Sequence, residues 1–177
     1  MNFADPVQNV QAFGFNGAMK IADFGAGSGA YALILASRLR DNGKIFAIDV
    51  QKELLAKLAL EARRRHLTNI ETIWGDVEKP LGTKLRDAEL DGVLISNLLF
   101  QTKAAYSVIL EAKRILRPGG VAVIIDWTDS FSGLGPSPAD IITAVKAEQI
   151  FNEAGFKKIG EFSAGPHHWG RRFQKAS

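Results

Sequence analysis

The sequence predicts an α/β fold: a three-layer, doubly wound sheet of about seven strands, mostly parallel, with a C-terminal antiparallel hairpin. Three observations carry this. Short apolar runs alternate with amphipathic helical stretches from Lys20 to Trp127, the pattern of parallel strands joined by helices. Val93-Leu94-Ile95 is continuously apolar, as in a strand covered on both faces. Phe156–Ser163 and His168–Gln174 read as two neighbouring strands at the end of the chain.

The elements follow in order. Asp5-Pro6 predicts a short helix over Pro6–Phe13, with Asp5 as N-cap and Pro6 at the first helical position. Lys20–Phe24 reads as the first strand. Ala30–Arg40 reads as a helix, because Tyr31, Ile34, Leu35 and Leu39 share a face, and Asn42-Gly43 ends it. Lys44–Asp49 is the second strand. Gln51–His66 is the next helix, with Leu54, Leu55, Leu58 and Ala62 on one face. Its basic end, Arg63–His66, complements the negative pole of the helix dipole by ~0.3–1 kcal/mol per charge. Ile70–Trp74 and Leu90–Ser96 are the third and fourth strands. Lys103–Leu116 is a helix stopped by Pro118-Gly119-Gly120, and Val121–Trp127 is the fifth strand. Ser137-Pro138-Ala139-Asp140 has the form of a helix start, with Asp140 in the Glu/Gln position of a capping box and the helix running to Gly155.

The chemistry concentrates in Asp23-Phe24-Gly25-Ala26-Gly27-Ser28-Gly29, a strand end followed by three alternate glycines and a helix. Such glycines allow a positive-φ reversal, close approach of backbone to ligand, and close packing of helix on strand. Asp49 ends the second strand, where an acidic side chain can accept from ribose hydroxyls. Asp76 follows the third strand, at a position suited to an adenine amino group. Gly25-x-Gly27-x-x-Ala30 also fits a dinucleotide fingerprint. Asp23 argues against that ligand, since a carboxylate two residues before the first glycine repels a pyrophosphate and attracts an ammonium or sulfonium.

These residues resemble the class I, Rossmann-like, S-adenosylmethionine-dependent methyltransferases. The likeness rests on Asp23–Gly29, Asp49, Asp76, Leu116-Arg117-Pro118-Gly119-Gly120 and Glu153-Ala154-Gly155-Phe156. Within the class the chain most resembles the small ubiquinone/menaquinone-biosynthesis-type branch. The resemblance implies S-adenosyl-L-methionine as cofactor and S-adenosyl-L-homocysteine as product. It implies that Asp23 and the backbone of Gly25, Ala26, Gly27 and Gly29 hold the methionine part. Asp49 and Val50 would border the ribose, and Asp76 and Val77 the adenine. It also starts the last main helix near Val145 rather than at Ser137.

Methyl transfer from a sulfonium needs alignment and exclusion of water, and a base only where the acceptor must lose a proton. The catalytic group is therefore not legible. Substrate-side candidates are Asn97, which follows the fourth strand and would line either the donor carboxylate or the substrate, Asp126, which ends the fifth, and His167 and His168, which precede the last. Asn97-Leu98-Leu99-Phe100 lacks the two prolines found in methyltransferases acting on exocyclic base amines. Adjacent histidines cannot both face one way on a strand, so they make a poor chelating pair and no metal is expected.

Residues 1–177 read as a single domain, with an N-terminal helical segment (1–13) and a lid-like loop (128–145). With 46% hydrophobic and 23% charged residues the composition is that of a soluble globular domain. The chain has no cysteine, no basic-then-apolar leader and no apolar run near the ~20 residues that span a bilayer, which together suit a cytoplasmic protein. The expected partner is a small-molecule methyl acceptor. An RNA or protein acceptor draws on Arg63–Arg65, on Arg171-Arg172 and on the net charge of +3, but no aromatic–basic stripe accompanies them, so nucleic acid is disfavoured. A non-catalytic donor-binding domain and action at a membrane surface through the amphipathic N-terminus stay open. The acceptor, the methylated atom and the oligomeric state have no signal in the sequence.

Overall fold

Among the described residues seven strands form one sheet: β1 (Lys20–Phe24), β2 (Lys44–Asp49), β3 (Ile70–Trp74), β4 (Leu90–Ser96), β5 (Leu116–Trp127), β6 (Phe156–Gly165) and β7 (His168–Lys175). Their spatial order is β3-β2-β1-β4-β5-β7-β6. The first five run parallel, and β7 lies antiparallel between β5 and β6. The computed structural model describes residues 4–131, 133 and 135–176. Met1–Phe3, and Ser132 and Leu134 of the expected lid-like loop, lie outside the described residues.

Period-two alternation sends side chains to two cores. Ala22, Phe24, Phe46, Ile48, Val93 and Ile95 face one side, under α4 (Ala105–Ile115) and α5 (Ala144–Glu153). Ile21, Ile45, Ala47 and Leu94 face the other, under α2 (Ala30–Arg38), α3 (Lys52–Arg64) and the N-terminal segment. The sheet is thus sandwiched between two layers of helices. Strand order reverses between β1 and β4, which opens a crevice beyond the carboxyl ends of these strands.

Several boundaries differ from the expectations. The N-terminal segment is one α-turn, α1 (Pro6–Asn9), continued as 3₁₀ over Val10–Ala12. Asp5 does cap it, accepting from the Val7 N–H at 2.9 Å. α2 ends two residues early because Leu39 is already extended (φ −67°, ψ 147°). Its buried face also differs: Ala32, Leu33 and Ala36 are buried, whereas Ile34 is only partly so, because the N-terminal segment covers a second side of the helix. α3 occupies Lys52–Arg64 with Gln51 and Arg65 as caps.

Strand β5 starts at Leu116 rather than Val121, since Leu116 already pairs with Leu90 and a register shift absorbs the Pro-Gly-Gly turn. The Ser137 side chain makes no capping hydrogen bond among the described residues, and Pro138–Asp140 is a single 3₁₀ turn. The main helix begins at Ala144, where the Thr143 hydroxyl accepts from Lys146 N–H at 3.2 Å. Gly155, at φ +84°, terminates it. The connection from β3 to β4 carries no helix and is built from turns.

Candidate functional site

The carboxyl ends of the parallel strands are level. Phe24 is paired with both Ile48 and Ile95, Asp49 with Trp74, and Ser96 with Ile125. The glycine turn after β1 is stitched across this end, because the N–H groups of Gly25 and Ala26 both donate to Ile48 O, at 2.9 and 3.1 Å. Gly25, Gly27 and Gly29 all have positive φ, 67, 55 and 89°. Their spaces differ. A Cβ on Gly29 would collide with Leu58, which lets α2 and α3 meet closely, whereas a Cβ on Gly27 would point into open space.

That open space is a groove in two parts that share Gly25, Gly27, Asn97 and Gln101. One part, about 250 Å³, is bordered by Asp49, Val50, Leu54, Asp76, Val77 and Leu98. The other, about 270 Å³, is bordered by Asp23, Ala26, Ser28, Tyr31 and Ser96. The structure therefore brings Asp23, Gly25, Ala26, Gly27, Asp49, Val50, Asp76, Val77 and Asn97 to one crevice, whereas Gly29 borders neither part of it and packs against Leu58.

Asp23 is 2% exposed. Burial, then repulsion from Asp49, push its carboxyl up to about 7, against a smaller lowering by the Ala32 N–H. A cationic group placed beside this carboxyl would reverse the shift. Asp49 is oriented by two backbone donors, Gly27 N–H at 2.9 Å and Gln51 N–H at 2.8 Å. Its two oxygens keep further acceptor capacity. Asp76 accepts from Glu78 N–H at 3.0 Å and pairs with Lys79 at 3.2 Å.

Asn97 is left-handed (φ 52°), with its own N–H bonded to Ile125 O at 2.8 Å. Its Oδ1 is buried without a hydrogen-bond partner among the described residues, a state that a ligand donor would relieve. Gln101 donates to Asn97 O at 2.6 Å. Tyr31 accepts from Asn9 Nδ2 at 3.1 Å, and Asn9 also donates to Ala164 O at 3.0 Å, so the N-terminal segment is tied over this end of the groove. Ser96 stands with Asn97 at the end of the fourth strand, where the sequence places the substrate side. Tyr31 reads in the sequence as one core position among four, and no local signal marks Gln101.

The remaining substrate-side candidates lie elsewhere. Asp126 is 1% exposed and borders neither part of the groove. It turns inward and accepts from Leu99 N–H at 2.9 Å and Trp127 N–H at 2.8 Å. The 3₁₀ turn Leu99–Gln101 presents donors there and no solvent competes. Burial, opposed by these bonds, pushes the Asp126 carboxyl up to about 6. His167 sits in the β6–β7 turn, 2.6 Å from Asp129 and stacked on Phe131. His168 opens β7, buried beside Trp127 with ring centroids 4.2 Å apart. Neither histidine borders the groove. Among the described residues no group of three metal-ligating side chains converges, and no helix is long and apolar enough to cross a membrane.

The strand order, the glycine turn and the acids along one crevice define the class of S-adenosylmethionine-dependent methyltransferase folds. The chain belongs to the family described as "Methyltransferase domain", which matches residues 15–173. A SAM-dependent methyltransferase from Aquifex aeolicus superposes with a TM-score of 0.87 at 24% identity, covering 98% of this chain and 90% of that one. Protein-L-isoaspartate O-methyltransferase of Pyrobaculum islandicum is 33% identical over 107 residues, 60% of this chain and 47% of the relative. The chloroplastic 2-phytyl-1,4-beta-naphthoquinone methyltransferase of Arabidopsis thaliana is 30% identical over 126 residues, 67% of this chain and 47% of the relative. The chain thus spans about half the length of these curated relatives. S-adenosylmethionine is the cofactor this family and fold imply, and the buried Asp23 and the open space at Gly27 fit it.

Proposed function

We propose that the chain is a single catalytic domain that transfers a methyl group from S-adenosylmethionine to a small-molecule acceptor. The observation that carries the donor half is the buried carboxylate of Asp23 at one end of a groove whose other end holds Asp49 and Asp76. When bound, S-adenosylmethionine supplies a methyl group already activated on a sulfonium. Asp23 would take the ammonium, and Gly27 would let the backbone approach the ligand. Asp49 would accept the ribose hydroxyls, with Val50 packed beside them. Asp76 would accept from the adenine amino group, and the Val77 N–H would donate to a ring nitrogen. Asn97 Oδ1 would meet the methionine end or the acceptor. The chain's remaining work is alignment and exclusion of water, in which the N-terminal segment, tied by Asn9 to Tyr31, would serve as a cover.

Support for a small acceptor comes from a relative. One curated relative is named for a naphthoquinone, and it motivates quinone-like phenols as the first acceptors to try. The name of the isoaspartate relative keeps a protein acceptor as the comparison arm. The test is to incubate the purified chain and methyl-labelled donor with a cell extract divided by mass. Label in the low-mass fraction is the expected result. Label confined to protein or RNA would overturn the small-molecule reading.

A further inference from the structure

Outside the groove, an ion pair on α4, buried at its Glu111 end, meets the connection that supplies part of the groove's wall. Residues 75–89 join β3 to β4 without a helix, and Leu81, Lys84 and Ala88 adopt left-handed φ of 61, 60 and 53°. Such conformations are disfavoured for residues with a side chain, so the connection needs outside restraint.

Glu111, 3% exposed, provides it. One carboxylate oxygen accepts from Leu81 N–H at 3.1 Å, and the other from Thr83 N–H at 3.1 Å and Thr83 Oγ1 at 2.6 Å. Arg114, three residues on, donates to both Glu111 oxygens, at 2.7 and 2.9 Å, and to Thr83 Oγ1 and Leu85 O. Burial opposes the charge on Glu111, yet the bonds from Arg114 and Thr83 hold its carboxyl down at about 2.

The two clamped N–H groups flank Gly82. A Cβ on Gly82 would collide with the carbonyl oxygen of Asp76, and one on Gly75 would collide with that of Gly82. The backbones of Gly82 and Gly75–Asp76 are therefore in direct contact, and a shift of one displaces the other. Packed backbone of this kind transmits displacement because it has no slack to absorb it.

We propose that Glu111 and Arg114 are positioning residues for the adenine end of the donor. Through Leu81, Gly82 and Thr83 they set where Asp76 and Val77 stand in the groove. The inference rests on the reading of Asp76 and Val77 as adenine contacts. A merely structural pair would lower stability but would not change how the protein tells one purine from another.

The experiment compares S-adenosylhomocysteine with S-inosylhomocysteine, in which an oxygen replaces the adenine amino group. Calorimetry gives both affinities for the wild type, Glu111→Gln and Thr83→Val, each checked for folding by circular dichroism. The wild type should prefer the amino compound by at least ~tenfold, because a site built to accept from an amino group rejects its replacement. Glu111→Gln turns an acceptor into a donor against Arg114 and should bring that ratio close to one. Thr83→Val removes only the hydroxyl and should lower the ratio part-way. A wild type without preference would defeat the adenine reading itself, and the inference with it. A wild-type preference that survives in folded Glu111→Gln, or in Thr83→Val where Glu111→Gln fails to fold, would overturn the positioning role and leave the adenine reading standing.

Discussion

The carboxylate of Asp49 accepts the N–H of Gly27 at 2.9 Å, which ties the end of β2 to the middle of the glycine turn that follows β1. The acid expected to meet the ribose is therefore also a strut of the turn expected to meet the methionine part. Removing it should act on both. Asp49→Ala deletes the proposed ribose contacts, charge-assisted bonds of ~1.5–3 kcal/mol each. Donor affinity measured by calorimetry should fall at least ~tenfold, with a smaller loss of stability. Unchanged affinity would leave Asp49 only its role in the turn.

Ligand identity can be read from thermal stability. S-adenosylmethionine and S-adenosylhomocysteine should raise the melting temperature, whereas NAD and NADP should not. A ligand at 100 times its dissociation constant stabilises by ~2.7 kcal/mol, enough to be visible for a domain of this size. A shift with NAD alone would sink the donor reading.

Asp23 predicts a pH dependence. Its carboxyl is raised from 3.8 to about 7 by burial and by Asp49. Because the folded value lies above the unfolded one, its contribution to stability is fully present below about 4 and is lost as pH rises through about 7. Donor binding carries the opposite sign, because a ligand ammonium favours the ionised carboxylate. Affinity for S-adenosylhomocysteine should rise between pH 5.5 and 7, by up to ~tenfold per unit, and flatten above. Asp23→Asn should lower the affinity and abolish the slope. The same slope in that mutant would assign the proton to another group.

Gly27→Val tests the open space above the turn. The Cβ position is unobstructed by protein but the backbone sits at φ +55°, so the variant should lose some stability through strain and lose donor binding through volume. Urea unfolding and calorimetry separate the two. Full binding by a destabilised variant would mean that the ligand does not approach there.

Asp126→Ala should act on stability first. It strands the buried N–H of Leu99, at ~1–3 kcal/mol for an unsatisfied donor, and takes one acceptor from the partly buried N–H of Trp127. Urea denaturation should register the loss. An unchanged midpoint would show that the Leu99–Gln101 turn holds without this cap.

The sequence by itself determined the strands, their mostly parallel arrangement, the terminal hairpin and the cluster of acids and glycines at the strand ends. Each depends on a local pattern: a strand-length apolar run, a glycine at alternate positions, an acid at or just beyond the end of a strand. β1, β2, β3 and β4 accordingly occupy the residues the pattern marks. Only the tertiary structure decided which way the other polar groups face. Asp126 reads as a strand-end acid like Asp49, yet it turns inward because a 3₁₀ turn from another part of the chain offers it donors. Tyr31 reads as helix core, and it borders the groove because α2 enters at the crevice itself. Glu111 reads as an ordinary helix residue, and its role arises from a connection that comes to rest on α4 some thirty residues away in sequence. The direction of a side chain is a local property of the backbone, but the partner it meets is a property of the packed molecule.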